Sequence, residues 1–202
     1  LRKRLFLVLI SLCLFTYCEK KPTSSPLPPA DFMPLNPGNW WEYVYCDSVE
    51  QDSAFIREEI GDTITLFGFK GYLYSSDFLP YYGFIHVKND TVILADTSNY
   101  SQRRILFINK ADAGAVWELY SVTEQYEVFA HQGKELFDVE LKSGKKYNGC
   151  IKVLTKAHFP DGSSEELGEY FFAKDLGMVK FVVRPWIEHP PIPFELYRYN
   201  LE

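Results

Sequence analysis

Side-chain character flips at every second position again and again along this chain, and that alternation constrains its fold more than any other feature. In 135–141, Phe137, Val139 and Leu141 are apolar while Asp138 and Glu140 are charged, the mark of an antiparallel strand with one buried face. In 150–159, Ile151, Val153, Ala157 and Phe159 are expected to face inward, and Lys152, Lys156 and His158 outward. In 40–46, Trp41, Tyr43 and Tyr45 share one face, and Trp40, Glu42, Val44 and Cys46 the other. No stretch of about a dozen residues carries a capped 3.6-residue period, so helices are not expected.

Turn signals punctuate the alternation. Lys88-Asn89-Asp90-Thr91, Pro160-Asp161-Gly162-Ser163, Asp175-Leu176-Gly177 and Gly144 each predict a reversal, as do Gly61-Asp62 and Gln132-Gly133-Lys134. Short links join neighbouring strands, so about ten strands at roughly ten-residue spacing predict an all-β fold. The expected architecture is an antiparallel meander forming a barrel, half-barrel or sandwich. Composition agrees. Trp, Tyr and Phe make up 17% of the 202 residues, and these rings favour pleated, half-buried positions.

The first residues read differently. Arg2, Lys3 and Arg4 precede an apolar run, Leu5 to Tyr17, that falls short of the roughly 20 residues a spanning helix needs. Cys18 stands at its apolar-to-polar border, so residues 1–18 resemble a bacterial lipoprotein signal in which that Cys is acylated. Such signals prefer a small residue before the Cys, and Tyr17 stands there. Two alternatives are ordinary signal cleavage near Ser11-Leu12-Cys13, and an uncleaved anchor in which Cys13 and Cys18 are apolar fillers. Residues 19–37 hold six of the twelve prolines and read as an extended tether reaching at most ~60 Å. Residues 38–202 are the expected β domain. Without the three basic leader residues the chain carries 18 basic residues against 27 acidic ones. That charge disfavours phosphate backbones, so no nucleic-acid partner is expected.

Two stretches, PLNPGNWWEY at 34–43 and EYFFAKDLGMVKF at 169–181, the second preceded by KYNGCIKV, carry a resemblance. Together they resemble an uncharacterised group of bacterial β-rich envelope lipoproteins and secreted proteins, with a Trp-containing first strand and an Ala-Lys-x-x-Gly-x-Val-Lys hairpin. The resemblance implies envelope location and a β fold, and supplies no catalytic residues. Some members are similar to half-barrel lipoprotein carriers.

Candidate sites are few. The row Trp41, Tyr43 and Tyr45 would stack on a sugar ring or another flat ligand if exposed, and is core if buried. Cys46 and Cys150 are the thiols beyond the leader; they form one disulfide closing a loop of about a hundred residues, or remain two buried free thiols. His86, His131, His158 and His189 are scattered, and Asp47, Glu50 and Asp52 lack the Gly and distal Glu of a calcium loop, so no metal and no cofactor are expected. Glu58-Glu59 and Glu165-Glu166 are adjacent, so on strands their members point to opposite faces and make poor acid/base pairs. No GxSxG, HExxH, GxGxxG or GxxxxGK[ST] occurs. The expectation is a non-enzymatic envelope protein, held to a membrane by an N-terminal lipid anchor or secreted, that binds an apolar ligand such as lipid. The rivals are a glycan- or surface-binding module using the aromatic row, and a hydrolase whose site is assembled from distant strands.

Overall fold

The computed structural model describes residues 32–45, 55–77, 82–109, 111–122, 125–184 and 190–202. Within them twelve strands form one sheet. The first six are β1 (Trp40–Tyr45), β2 (Phe55–Leu66), β3 (Phe69–Ser76), β4 (Gly83–Lys88), β5 (Thr91–Asp96) and β6 (Arg104–Ile108). The second six are β7 (Val116–Val122), β8 (Tyr126–Glu140), β9 (Lys146–His158), β10 (Ser164–Ala173), β11 (Gly177–Val183) and β12 (Ile192–Asn200). One 3-10 turn, Tyr100–Gln102, lies between β5 and β6.

The hydrogen-bonded order is β6-β5-β4-β3-β2-β1-β12-β11-β10-β9-β8-β7. Each ladder is antiparallel and joins sequence neighbours, except that β1 also pairs with β12. The first and last strands therefore meet in the middle of the sheet. β6 and β7 are its two edges and lie side by side without a ladder, which leaves a nearly closed barrel. The expected all-β meander is what the chain forms.

Two expected turns are strand instead. Gly61-Asp62 lies inside β2, where the pairing with β3 slips between Ile60 and Thr63. Gln132-Gly133-Lys134 lies inside β8, which runs on for 15 residues with a slip opposite β9 between Gln132 and Leu136. A bulge absorbs extra residues by bending a strand without reversing it. The true reversals carry positive φ: Asn89 (50°) and Asp90 (63°), Gly144 (82°), Gly162 (85°), and Asp175 (58°) with Gly177 (99°).

The chain's opening turn latches the barrel. Asn39 is wholly buried; its side chain donates to the Pro34 carbonyl (3.2 Å) and accepts from the Glu202 amide (2.8 Å). Asn36 donates to the Glu202 carbonyl at 2.7 Å, and the Gly38 amide donates to the Ile60 carbonyl at 2.8 Å. Gly38 has a φ of +88°, and a Cβ there would stand 2.9 Å from the Glu202 carboxyl. Ahead of this turn Leu35 is buried in the core, with Phe32 and Met33 packed against it. The folded unit thus takes in 32–37, residues that composition assigns to the tether. Their apolar members pack on the core, whatever their proline neighbours favour.

Candidate functional site

Alternation around a barrel sorts side chains into an inner and an outer set. The inner set does not fill its space: a cavity of about 450 Å³ remains inside. Trp41 and Tyr43 of β1, Glu58 of β2, Tyr74 of β3 and Arg104 of β6 line one part of it. Leu119 and Tyr120 of β7, Val128 and Ala130 of β8, Val153 and Thr155 of β9, and Tyr170 and Phe172 of β10 line the rest.

The aromatic row of β1 faces this interior. Trp41 and Tyr43 are 3% and 1% exposed, and half-buried Tyr45 packs its ring 5.5 Å from Phe194. An exposed platform is therefore not what the row forms. An antiparallel neighbour covers each side of β1, and the inner face of the barrel is where large rings lose most water. The rings are tied down from across the chain. The Trp41 indole donates to the Leu176 carbonyl at 2.6 Å, and a Cβ on Gly177 would come within 3.2 Å of the same indole nitrogen. The Tyr43 hydroxyl lies 3.2 Å from the Met178 carbonyl and donates to it. The two stretches that carry the sequence resemblance are thus in contact: the indole of the first seats on the hairpin turn of the second.

Glu58 sits opposite Trp41 in the β1–β2 register and opposite Ser76 in the β2–β3 register. Its carboxyl stands beside the phenols of Tyr43 and Tyr74, the Tyr43 proton being shared with the Met178 carbonyl. Burial pushes its pKa up from the usual 4.5 to about 7, although the two phenolic hydrogen bonds pull the other way. The surface that Glu58 retains is turned to the cavity. Burial, reinforced by the Glu58 charge, also drives the Tyr43 and Tyr74 phenols well above their ordinary range, so both stay protonated donors.

Arg104 is the second charged group of the cavity. Its charge is felt by the phenols of Tyr74, Tyr120 and Tyr170. Among the described residues no carboxylate lies within 4.0 Å of its guanidinium. Arg184, at the cavity margin, is by contrast committed to Glu169 at 2.6 Å, which Lys152 also holds at 2.8 Å.

The remaining candidates fall elsewhere. Cys150 is a fully buried free thiol, 3.6 Å from the Tyr147 carbonyl, with a pKa pushed up to about 11 by burial and then by Asp138. That suits an inert core thiol, not a nucleophile. Cys18 and Cys46 lie outside the described residues, as do Asp47, Glu50, Asp52 and His189. His86 is buried 3.0 Å from the Tyr100 hydroxyl, and His131 stacks on exposed His158 at 6.0 Å. Among the described residues no group of three or more His, Cys, Asp or Glu is placed to hold a metal ion.

Sequence reasoning did not single out Glu58, Arg104, Tyr74, Tyr120 or Tyr170 as site residues. Two signals were available. Glu58 shares a strand face with Ile56 and Ile60, and Arg104 shares one with Leu106, so each charge stands in phase with apolar neighbours.

No protein-family description matches the chain, and no curated protein matches it in sequence. Among solved structures, a provisionally assigned lipoprotein from Parabacteroides distasonis is similar to it with a TM-score of 0.45 and 11% identity, over 86% of this chain and 100% of that one.

Proposed function

We propose that this chain is a non-enzymatic protein of the bacterial cell envelope, lipid-anchored or secreted, whose barrel holds an apolar ligand such as a lipid. The observation that carries the reading is the cavity of about 450 Å³ inside the barrel, within the size range of ligand pockets and walled largely by Leu, Val, Met and aromatic side chains. A packed core leaves few voids larger than a water molecule, so an interior space of this size is a feature with a use. The basic leader, its apolar run and Cys18 support the envelope location.

The lining chemistry supports binding over catalysis. Among the described residues neither Cys nor His lines the cavity, and the Thr155 hydroxyl is engaged with the Gly168 carbonyl at 3.3 Å. The two phenols beside Glu58 are held protonated, so neither serves as a phenolate nucleophile.

Native mass spectrometry of gently purified full-length protein tests this reading. The expected result is a population heavier than the polypeptide by one small amphipath, lost on delipidation and regained when decanoate or 1-decanol is added back. A bare polypeptide mass that takes up neither compound would refute it.

A further inference from the structure

Resting on the reading of the cavity as a binding site, we propose that its ligand is a single-chain amphipath with an anionic head, the head held by Arg104 beside Tyr120 and the tail along Leu106, Leu119, Val128 and Val153.

The size argument comes first. A cavity of about 450 Å³, at about 30 Å³ per water-sized group, has room for fifteen or so non-hydrogen atoms at the least. That is room for at least one medium-length acyl chain with its head.

The charge argument is independent of size. A cation drawn out of water is costly unless it is paired, and interior cations normally have a carboxylate partner. Arg184 and Lys152 follow that rule through Glu169, as Lys180 does through Glu195 at 3.1 Å. Arg104 does not: among the described residues its guanidinium has no carboxylate within reach, and its surroundings in the cavity are phenols. Glu58, the acid that lines the cavity, stands beside the phenols of Tyr43 and Tyr74 and makes no ion pair with Arg104. Tyr120, an exposed residue at the open end of the lining, stands across the β6–β7 seam from Arg104. A guanidinium with no carboxylate partner, facing a space walled largely by aliphatic and aromatic groups, is complementary to a carboxylate on an alkyl tail.

The discriminating pair is decanoate and 1-decanol, which share a chain and differ in head charge. An ionised carboxylate enters an apolar space far less readily than a hydroxyl, so a preference for decanoate requires a cation in the cavity. Calorimetric titration of delipidated full-length protein at pH 8 is expected to give decanoate about tenfold or more tighter than 1-decanol. In Arg104→Met that preference is expected to vanish, with the 1-decanol affinity held within about twofold. Arg104→Lys should keep part of it, and circular dichroism verifies that both variants fold. Equal affinities of the wild-type protein for the two compounds would overturn the anionic head while leaving the ligand-binding reading intact. Failure of both to bind the wild-type protein would remove the binding site itself.

Discussion

Two aromatic clusters in this barrel differ in one respect that bears on function. The outer cluster gathers Phe67 and Phe69 of the β2–β3 hairpin, Phe84 and His86 of β4, and Tyr100 of the 3-10 turn. Its rings stack closely, Phe69 to His86 at 4.7 Å, and its polar atom is satisfied, with the His86 Nε2 3.0 Å from the Tyr100 hydroxyl. The inner cluster includes Tyr43, Tyr170, Phe181 and Phe194, with Phe181 stacked on Phe194 at 4.6 Å, and it borders open space holding an acid and an unpaired guanidinium. Ring density is high in both. Among the described residues the inner one borders the cavity and holds a guanidinium with no carboxylate partner, and that separates a binding site from a packing solution.

The largest effect expected from breaking either cluster is on stability. Phe84→Ala and Trp41→Ala should each cost about 3–5 kcal/mol in urea unfolding, since both delete a large, almost fully buried ring. They should part company in ligand binding. Phe84→Ala, among the rings of the outer cluster, is expected to leave decanoate affinity unchanged while the protein stays folded, and a loss of affinity there would erase the distinction.

The pH response of stability sharpens the contrast next, because the clusters titrate with opposite sign. Glu58 has a folded pKa of about 7 against 4.5 when unfolded, so between those values the native state holds a proton that the unfolded chain has released. Its contribution is therefore fully present below about 4.5 and lost as pH rises through about 7, by up to about 3 kcal/mol. Glu58→Gln should flatten that slope and raise stability at pH 8, as read from unfolding curves across pH. His86 is lowered from 6.5, chiefly by burial and then by Lys88, so its contribution is present above 6.5 and falls as pH drops through the folded value. The smallest effect belongs to His86→Phe, expected to cost about 1 kcal/mol for the lost hydrogen bond to Tyr100 and to remove that acid-side fall.

The architecture was largely legible in the sequence because it follows from local rules. Strand faces follow side-chain alternation, and Asn89-Asp90 or Asp175-Leu176-Gly177 reverse the chain because their residues accept positive φ. Gly133 misled because glycine also serves strands: no positive φ occurs there, and the Lys152 carbonyl would stand 3.3 Å from an added Cβ, so the residue admits a close backbone and not a turn. The site was far less legible. Whether inward side chains fill their space depends on which ones meet across the barrel, and twelve strands with several register slips determine that together. Alternation placed Trp41 and Tyr43 on one face of β1 but could not say which face was inside. It put Glu58 and Glu59 on opposite faces of their strand, as they are, but could not say that the Glu58 side is the one that borders the cavity.

The central claim is that the space inside the barrel takes an apolar chain, and quenching of the cavity-lining indole by a neutral brominated alcohol tests it most directly. Titration of the full-length protein with 11-bromo-1-undecanol is predicted to quench tryptophan emission saturably at one equivalent, with most of the effect lost in Trp41→Phe. Quenching that rises without saturation and is the same in both proteins would contradict the account.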